Sequence, residues 1–253
     1  MPSNRIASLD LLKWLALAAM VLDHLSYLAP EYLASLIFPG RLAFPLFCGV
    51  IAAHAFRQPP GSLTDSKNWD YLKRLIVFGC VSQLFFLLYL EQPQANILFT
   101  LAIGLALALA YHHRASHIGV WALLIGVLAF GYSWRELISY GLSGILLPMA
   151  FVYAMKERTV ETWLLPATLA FSANMPNATA VYLLIVKPNL MLASEPFVRL
   201  LWQGGIAALS CFLVLWLCRQ PLRFKVPVVT RWAYWFYPGH LLFLYLLRRV
   251  LPA

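Results

Sequence analysis

Long apolar runs dominate this chain, and they leave it few ways to fold. Runs of about 18–25 residues match the length a helix needs to cross a hydrocarbon core of ~30 Å. They fall near residues 8–29, 36–56, 72–90, 97–112, 117–133, 136–155, 162–186, 197–218 and 232–250. A membrane barrel would show ~10-residue alternating segments instead, and the sequence has none. Apolar residues make up 62% of the 253 and charged ones 11%, against roughly 45–50% and 25% in soluble domains. A soluble protein of this size could not hide that much apolar surface. Disordered chains, soluble globular enzymes and disulfide-stapled secreted modules are thereby excluded. The expectation is an all-α, polytopic transmembrane helix bundle of about nine spans, with residues 1–253 forming a single integral-membrane domain.

Orientation follows from the basic residues, which collect on the cytoplasmic side of membrane proteins. With the N-terminus inside, twelve Lys and Arg residues fall in inner loops and five in outer ones, while Lys13 and Arg41 lie within spans. SANMPN (Ser172 to Asn177) interrupts the seventh span, as a kink or as a re-entrant break between two half-helices. Splitting it into two full crossings would move four basic residues between 219 and 231 outside, so nine spans fit better than ten. The net charge of +9 is then mostly a topology signal and not a nucleic-acid footprint. A basic cytoplasmic face still favours anionic ligands such as a phosphorylated cofactor. The four cysteines lie in apolar spans without a metal-like pair, so neither a metal site nor a disulfide is expected. The first span is too long and too charged for a cleavable signal peptide. Arg57 to Asp70, rich in Pro, Gly and Ser, reads as a surface loop.

Ionisable side chains inside a span cost ~2.5–3.5 kcal/mol each on insertion scales, so a span with several needs a reason. The first span, SLDLLKWLALAAMVLDH (Ser8 to His24), holds Asp10, Lys13, Asp23 and His24. Lys13 and His24 are eleven residues apart, three turns plus ~20°, which places them on one face ~16 Å apart along the axis. Asp10, at i−3, can pair with Lys13. Asp23 points sideways, toward a neighbouring helix. A cation near the cytoplasmic end and an imidazole deeper on the same face suit a long anionic donor. The cation would hold a phosphate and His24 would move a proton at the reacting centre. The plainer alternative is that these side chains snorkel to the two interfaces.

Other polar residues admit two readings each. Arg41, in GRLAFPLF (Gly40 to Phe47), either snorkels outward or pairs with Asp23, and Pro45 is expected to kink that helix. Arg57, Lys73 and Arg74 flank the inner ends of spans two and three, as phosphate ligands or as positive-inside anchors. Asn96 and Thr100 share a helix face, for helix–helix contact or for substrate. His240 follows Pro238-Gly239, which should break the local hydrogen-bond ladder and open backbone toward a cavity. His54 reads as structural or interfacial, and His112, His113 and His117 as an interfacial loop.

Lys13-x10-His24 resembles the [RK]-x10-H motif in the first helix of integral-membrane acyltransferases that O-acetylate surface polysaccharides. It also resembles the first helix of lysosomal heparan-glucosaminide acetyltransferases. A closer similarity is to the TraX family, whose type member N-acetylates F-like pilin in conjugation. That similarity runs through LKW...MVLDH, GRLAFPLF, YLKRLIVFGCVSQLFF (Tyr71 to Phe86), NILFTLAIGLALALA (Asn96 to Ala110) and YWFYPGHLLFLYLL (Tyr234 to Leu247), in order over most of the chain. The resemblance implies acetyl transfer from cytoplasmic acetyl-CoA to an amine, the N-terminus of a pilin subunit, at the bacterial inner membrane. It makes His240 the second candidate histidine. On this reading neutral His24 removes the proton from the attacking amine, Asp23 orients or polarises the imidazole, and Lys13, Lys73, Arg74 and Arg57 bind the coenzyme A phosphates. A covalent acetyl-His24 intermediate is a variant. The alternatives are O-acetylation of a cell-envelope sugar, or a non-enzymatic transporter or assembly factor using the buried charges as a path.

Overall fold

Inside a membrane the backbone must satisfy its own polar groups, and short of a closed barrel only helices do so. The chain accordingly forms helices. The computed structural model describes residues 7–59, 66–113, 121–126, 137–175 and 194–250, with positions 119, 128, 185–187 and 189 between them. The principal helices are α1 (Ala7–Leu25), α2 (Ala43–Phe56), α3 (Ser66–Leu90), α4 (Ile97–His113), α5 (Gly141–Glu157), α6 (Leu164–Ala173), α7 (Glu195–Leu217) and α8 (Trp232–Val250). Short helical turns at Pro30–Leu33, Ala34–Leu36 and Ile37–Gly40 lead from α1 to α2. Among the described residues, Pro30–Phe56, Lys67–Leu90 and Glu195–Leu217 are long and apolar enough to cross a membrane. The described part of the chain is all-helical, with helices that suit a membrane protein.

Several boundaries differ from the sequence expectation. Most of the 117–133 span, and everything in the 162–186 span between 176 and 184, lies outside the described residues. Within the described part, α6 stops at Ala173, and the Asn174 side chain donates back to the Ala170 carbonyl at 2.8 Å. Helix α3 begins at Ser66 and not near 72, so the loop after Arg57 is shorter than expected. Apolarity marks where lipid begins, whereas helical hydrogen bonding continues into the polar residues at the water side. Pro45 is the third residue of α2, inside the first turn, where its missing N–H has no intrahelical partner to lose. Pro238 lies within a continuous α8, so the expected break there is absent.

Helix α2 sits at the centre, packed against α1, α4, α5 and α7. Its Leu46, Ile51 and Ala52 are buried with Leu12, Leu105, Phe151 and Leu215 in the main core. A second core joins Leu17 and Met20 of α1 to Phe86 and Tyr89 of α3 and to Tyr237 and Leu241 of α8. Gly40 brings the start of α2 against the end of α1, since a Cβ on it would lie 2.6 Å from the Asp23 Cα. Gly40→Ala is therefore expected to cost about 1–3 kcal/mol through overpacking. Gly239→Ala, whose Cβ would meet no atom within 4 Å, should be neutral or gain up to ~1 kcal/mol of helix propensity. Thermal melting of the two purified variants checks this contrast.

Candidate functional site

Four helices turn polar and aromatic stripes toward a common space. On α1, Leu9, Lys13, Leu17 and Met20 recur at i+4, i+4 and i+3, the spacing of one helix face. On α2 the stripe is Phe47, Val50, Ile51, His54 and, just past the helix end, Arg57. On α3 it is Lys67, Asp70, Tyr71, Arg74 and Leu75; on α8 it is Ala233, Tyr234 and Tyr237. These residues line a cavity of about 580 Å³ whose cations are Lys13, Arg57, Lys67, Arg74 and Arg231. A second cavity of about 440 Å³ holds Asp23, His24, Tyr27, Arg41, Ser139 and Tyr140 in its wall. Met20, Phe47, Ile97 and Tyr237 line both, so the two spaces adjoin across these side chains, which form a largely apolar waist between them. The Lys13–His24 face of α1 runs past that waist from one cavity to the other.

His24 and His240 are buried and joined, with His24 Nδ1 2.6 Å from His240 Nε2. The ring planes lie within 13° of each other and the centroids 4.8 Å apart. That separation is what an in-plane N···N bond leaves once a ring radius is added at each end, so the rings meet edge to edge and not face to face. The protons can be placed from the next contact. His240 Nδ1 lies 2.9 Å from the Phe236 carbonyl oxygen, which can only accept, so this nitrogen carries a hydrogen. Neutral His240 then presents a lone pair at Nε2, and His24 Nδ1–H donates to it. The remaining nitrogen of His24, Nε2, is left unprotonated, as a general base requires. The same helix end is fixed by Tyr89 of α3, whose buried hydroxyl donates to the His24 carbonyl at 2.6 Å.

Asp23, expected to orient or polarise the imidazole, makes no hydrogen bond to it among the described residues. Adjacent residues on a helix diverge by ~100°, and the Asp23 carboxylate faces Arg41 Nη1 at 3.6 Å. That guanidinium donates from Nε to Gln203 Oε1 at 3.0 Å and from Nη1 to the Tyr140 hydroxyl at 3.4 Å. Tyr140 stacks on Phe44, with centroids 4.0 Å apart and planes within 7°. Its backbone is left-handed, φ 66°, a conformation that costs a bulky residue roughly 1–3 kcal/mol. The strain is held where Tyr140 meets both Arg41 and Phe44.

The other expected residues divide between the cavities and the scaffold. Lys13 donates to Asp10 at 3.2 Å, and Asp10 also accepts the Val229 N–H at 3.4 Å. Arg57 and Arg74 line the first cavity, but Lys73 is exposed and does not, because one residue along a helix is a different face. Asn96 serves the fold: its amide donates to the Gly79 carbonyl at 2.7 Å, and its Oδ1 accepts the Leu98 N–H at 3.0 Å. Thr100 donates to the Ser139 carbonyl at 2.8 Å. His54 stands edge-on to Tyr71 in the wall of the first cavity. His112 and His113 are buried in the last turn of α4 and not in a loop, and His112 Nε2 reaches the Gln58 carbonyl at 2.8 Å. His117 lies outside the described residues. Tyr89, Tyr140, Gln203, Lys67 and Arg231 were not singled out in the sequence. Of these, only Lys67 carried a usable signal, the i, i+3, i+4, i+7 stripe it begins.

Comparison with known proteins gives two matches. A profile of the family described as TraX protein matches residues 8–248. The chain is also similar to uncharacterized protein RP591 of Rickettsia prowazekii (strain Madrid E), at 29% identity over 163 residues, 62% of this chain and 59% of that protein. It thus spans about three-fifths of the length of that relative. No solved structure matches the chain.

Proposed function

This chain belongs to the TraX family, and on that premise we propose that it moves an acetyl group from acetyl-CoA to an amine, the N-terminus of a conjugative pilin subunit. One observation carries the reading: a cation-lined cavity and a histidine-bearing cavity lie on either side of a shared waist, along a single face of α1. The proposed topology is nine spans in the bacterial inner membrane with a cytoplasmic N-terminus. The Lys13 end then opens to the cytoplasm, where acetyl-CoA is made, and the His24 end to the side where a processed pilin terminus lies. Lys13, Arg57, Lys67, Arg74 and Arg231 bind the phosphates, Arg by paired hydrogen bonds and Lys as a point charge. The thioester arm passes the waist formed by Met20, Phe47, Ile97 and Tyr237.

The chemistry at His24 is acyl transfer assisted by a base. The amine lone pair attacks the thioester carbonyl carbon, and the proton shed by nitrogen goes to His24 Nε2. As the carbon–sulfur bond breaks, the departing thiolate takes that proton, leaving an amide, free coenzyme A and neutral His24. His240 is a positioning residue, holding the tautomer in which Nε2 is free. His240→Ala is expected to lower kcat by about 10–100-fold, the usual scale for a lost orienting partner. His240→Gln, whose amide oxygen can accept from His24 Nδ1–H, should recover most of it, which a purely structural role would not.

Arg74→Ala should raise the KM for acetyl-CoA by about tenfold with kcat nearly unchanged, and added salt should mimic it. The function itself is tested by the intact mass of pilin from cells with and without this gene. Pilin heavier by one acetyl group at its N-terminus only when the gene is present is the expected result. Identical masses would overturn it.

A further inference from the structure

The second cavity is lined by a carboxylate with one oxygen that accepts no hydrogen bond among the described residues. Asp23 lines that cavity beside His24. Its Oδ1 is buried and accepts no hydrogen bond among the described residues. The ion pair with Arg41, at 3.6 Å, is longer than a hydrogen bond. Arg41 meanwhile directs Nε to Gln203 and Nη1 to Tyr140. A buried carboxylate beside a guanidinium, yet short of donors, is complementary to a group that brings N–H donors and positive charge. Such a group is a primary ammonium.

We infer that Asp23 is the subsite for the acceptor's ammonium, and that it sets the preference of this enzyme for amines over hydroxyls. The inference rests on the acetyl-transfer reading above and names how that site selects its acceptor. The acceptor enters as R–NH3⁺ and hydrogen-bonds to Asp23. It loses one proton to solvent to become the nucleophile R–NH2, and loses the second to His24 during attack. Overall, R–NH3⁺ and the thioester give the amide, free thiol and one proton. A hydroxyl acceptor brings one donor and no charge, so it leaves Asp23 short of partners, and binding falls accordingly.

Two short peptides probe this: one beginning with alanine, the other with lactate, in which a hydroxyl replaces the ammonium. Binding is measured by calorimetry on the protein in nanodiscs, and turnover by transfer of labelled acetyl from acetyl-CoA. The wild type is expected to acetylate the alanine peptide and to bind it roughly 10–100-fold more tightly than the lactate peptide, the ratio a charge-assisted hydrogen bond supplies. Asp23→Asn should lose that preference. The double variant Asp23→Asn/Arg41→Gln replaces the ion pair by neutral groups of similar shape. It guards against misfolding of the single variant and should lose the preference too, with the KM for acetyl-CoA changed by no more than about twofold. A double variant that folds and still favours the alanine peptide as the wild type does would overturn the inference alone. A wild type that acetylates neither peptide would remove the acetyl-transfer reading, and the inference with it.

Discussion

His24→Ala, purified in folded form, is expected to lose about 10²–10⁴-fold in acetyl transfer, the contribution of one positioned acid–base group. The loss should appear in kcat, with the KM for acetyl-CoA close to wild type, because the cations of the first cavity are untouched. The relay gives the reason. His240 is held by the Phe236 carbonyl and in turn holds His24, so on the proposed mechanism removing the His24 imidazole removes the base. His24→Gln tests whether shape alone suffices; a glutamine amide is not basic near neutrality, so it should be as inactive as alanine. Full turnover by either variant would remove His24 from the reaction, both as base and as carrier of an acetyl group.

The second large effect is on stability. Arg41→Gln leaves the Asp23 carboxylate buried without its counter-charge, and breaking a buried pair on one side costs about 3–5 kcal/mol. Both side chains are mostly hidden, 15% and 14% exposed, so water offers little compensation. Gln203 and Tyr140 would also lose the donor they share, which adds to the effect. Replacing both partners, as Asp23→Asn/Arg41→Gln, should recover most of the loss, because the penalty comes from an unpaired charge. Melting temperatures of the two single variants and the double variant give the coupling directly. Equal melting of Arg41→Gln and wild type would mean that Asp23 is solvated.

Much of the architecture was legible because bilayer length and helix period are both written in apolarity. The described helices fall in the expected apolar segments, and the α1 face joining Lys13 to His24 follows from 3.6-residue periodicity alone. What stayed hidden depends on contacts distant in sequence. His24 and His240 are 216 residues apart, and periodicity says nothing about which two helices touch. The Asp23–Arg41 pair was open as one of two readings; Gly40, which lets the two backbones close, sat in the quoted motif without its meaning being visible. Lys73 and Arg74 look alike as neighbours in sequence, although a helix sends them to different sides. Tyr89 was indistinguishable from the aromatic residues that belt membrane interfaces.

On the proposed mechanism a donor bound on one side of the bundle reaches an acceptor held on the other. Proteoliposomes with the protein inserted in one orientation test it, with acetyl-CoA supplied only on the Lys13 side and the alanine-led peptide only on the His24 side. Acetylated peptide should accumulate in the second compartment, one amide per thiol released in the first, and His24→Ala should abolish both. Acetylation only when peptide and acetyl-CoA share a compartment would rule out transfer across the bundle.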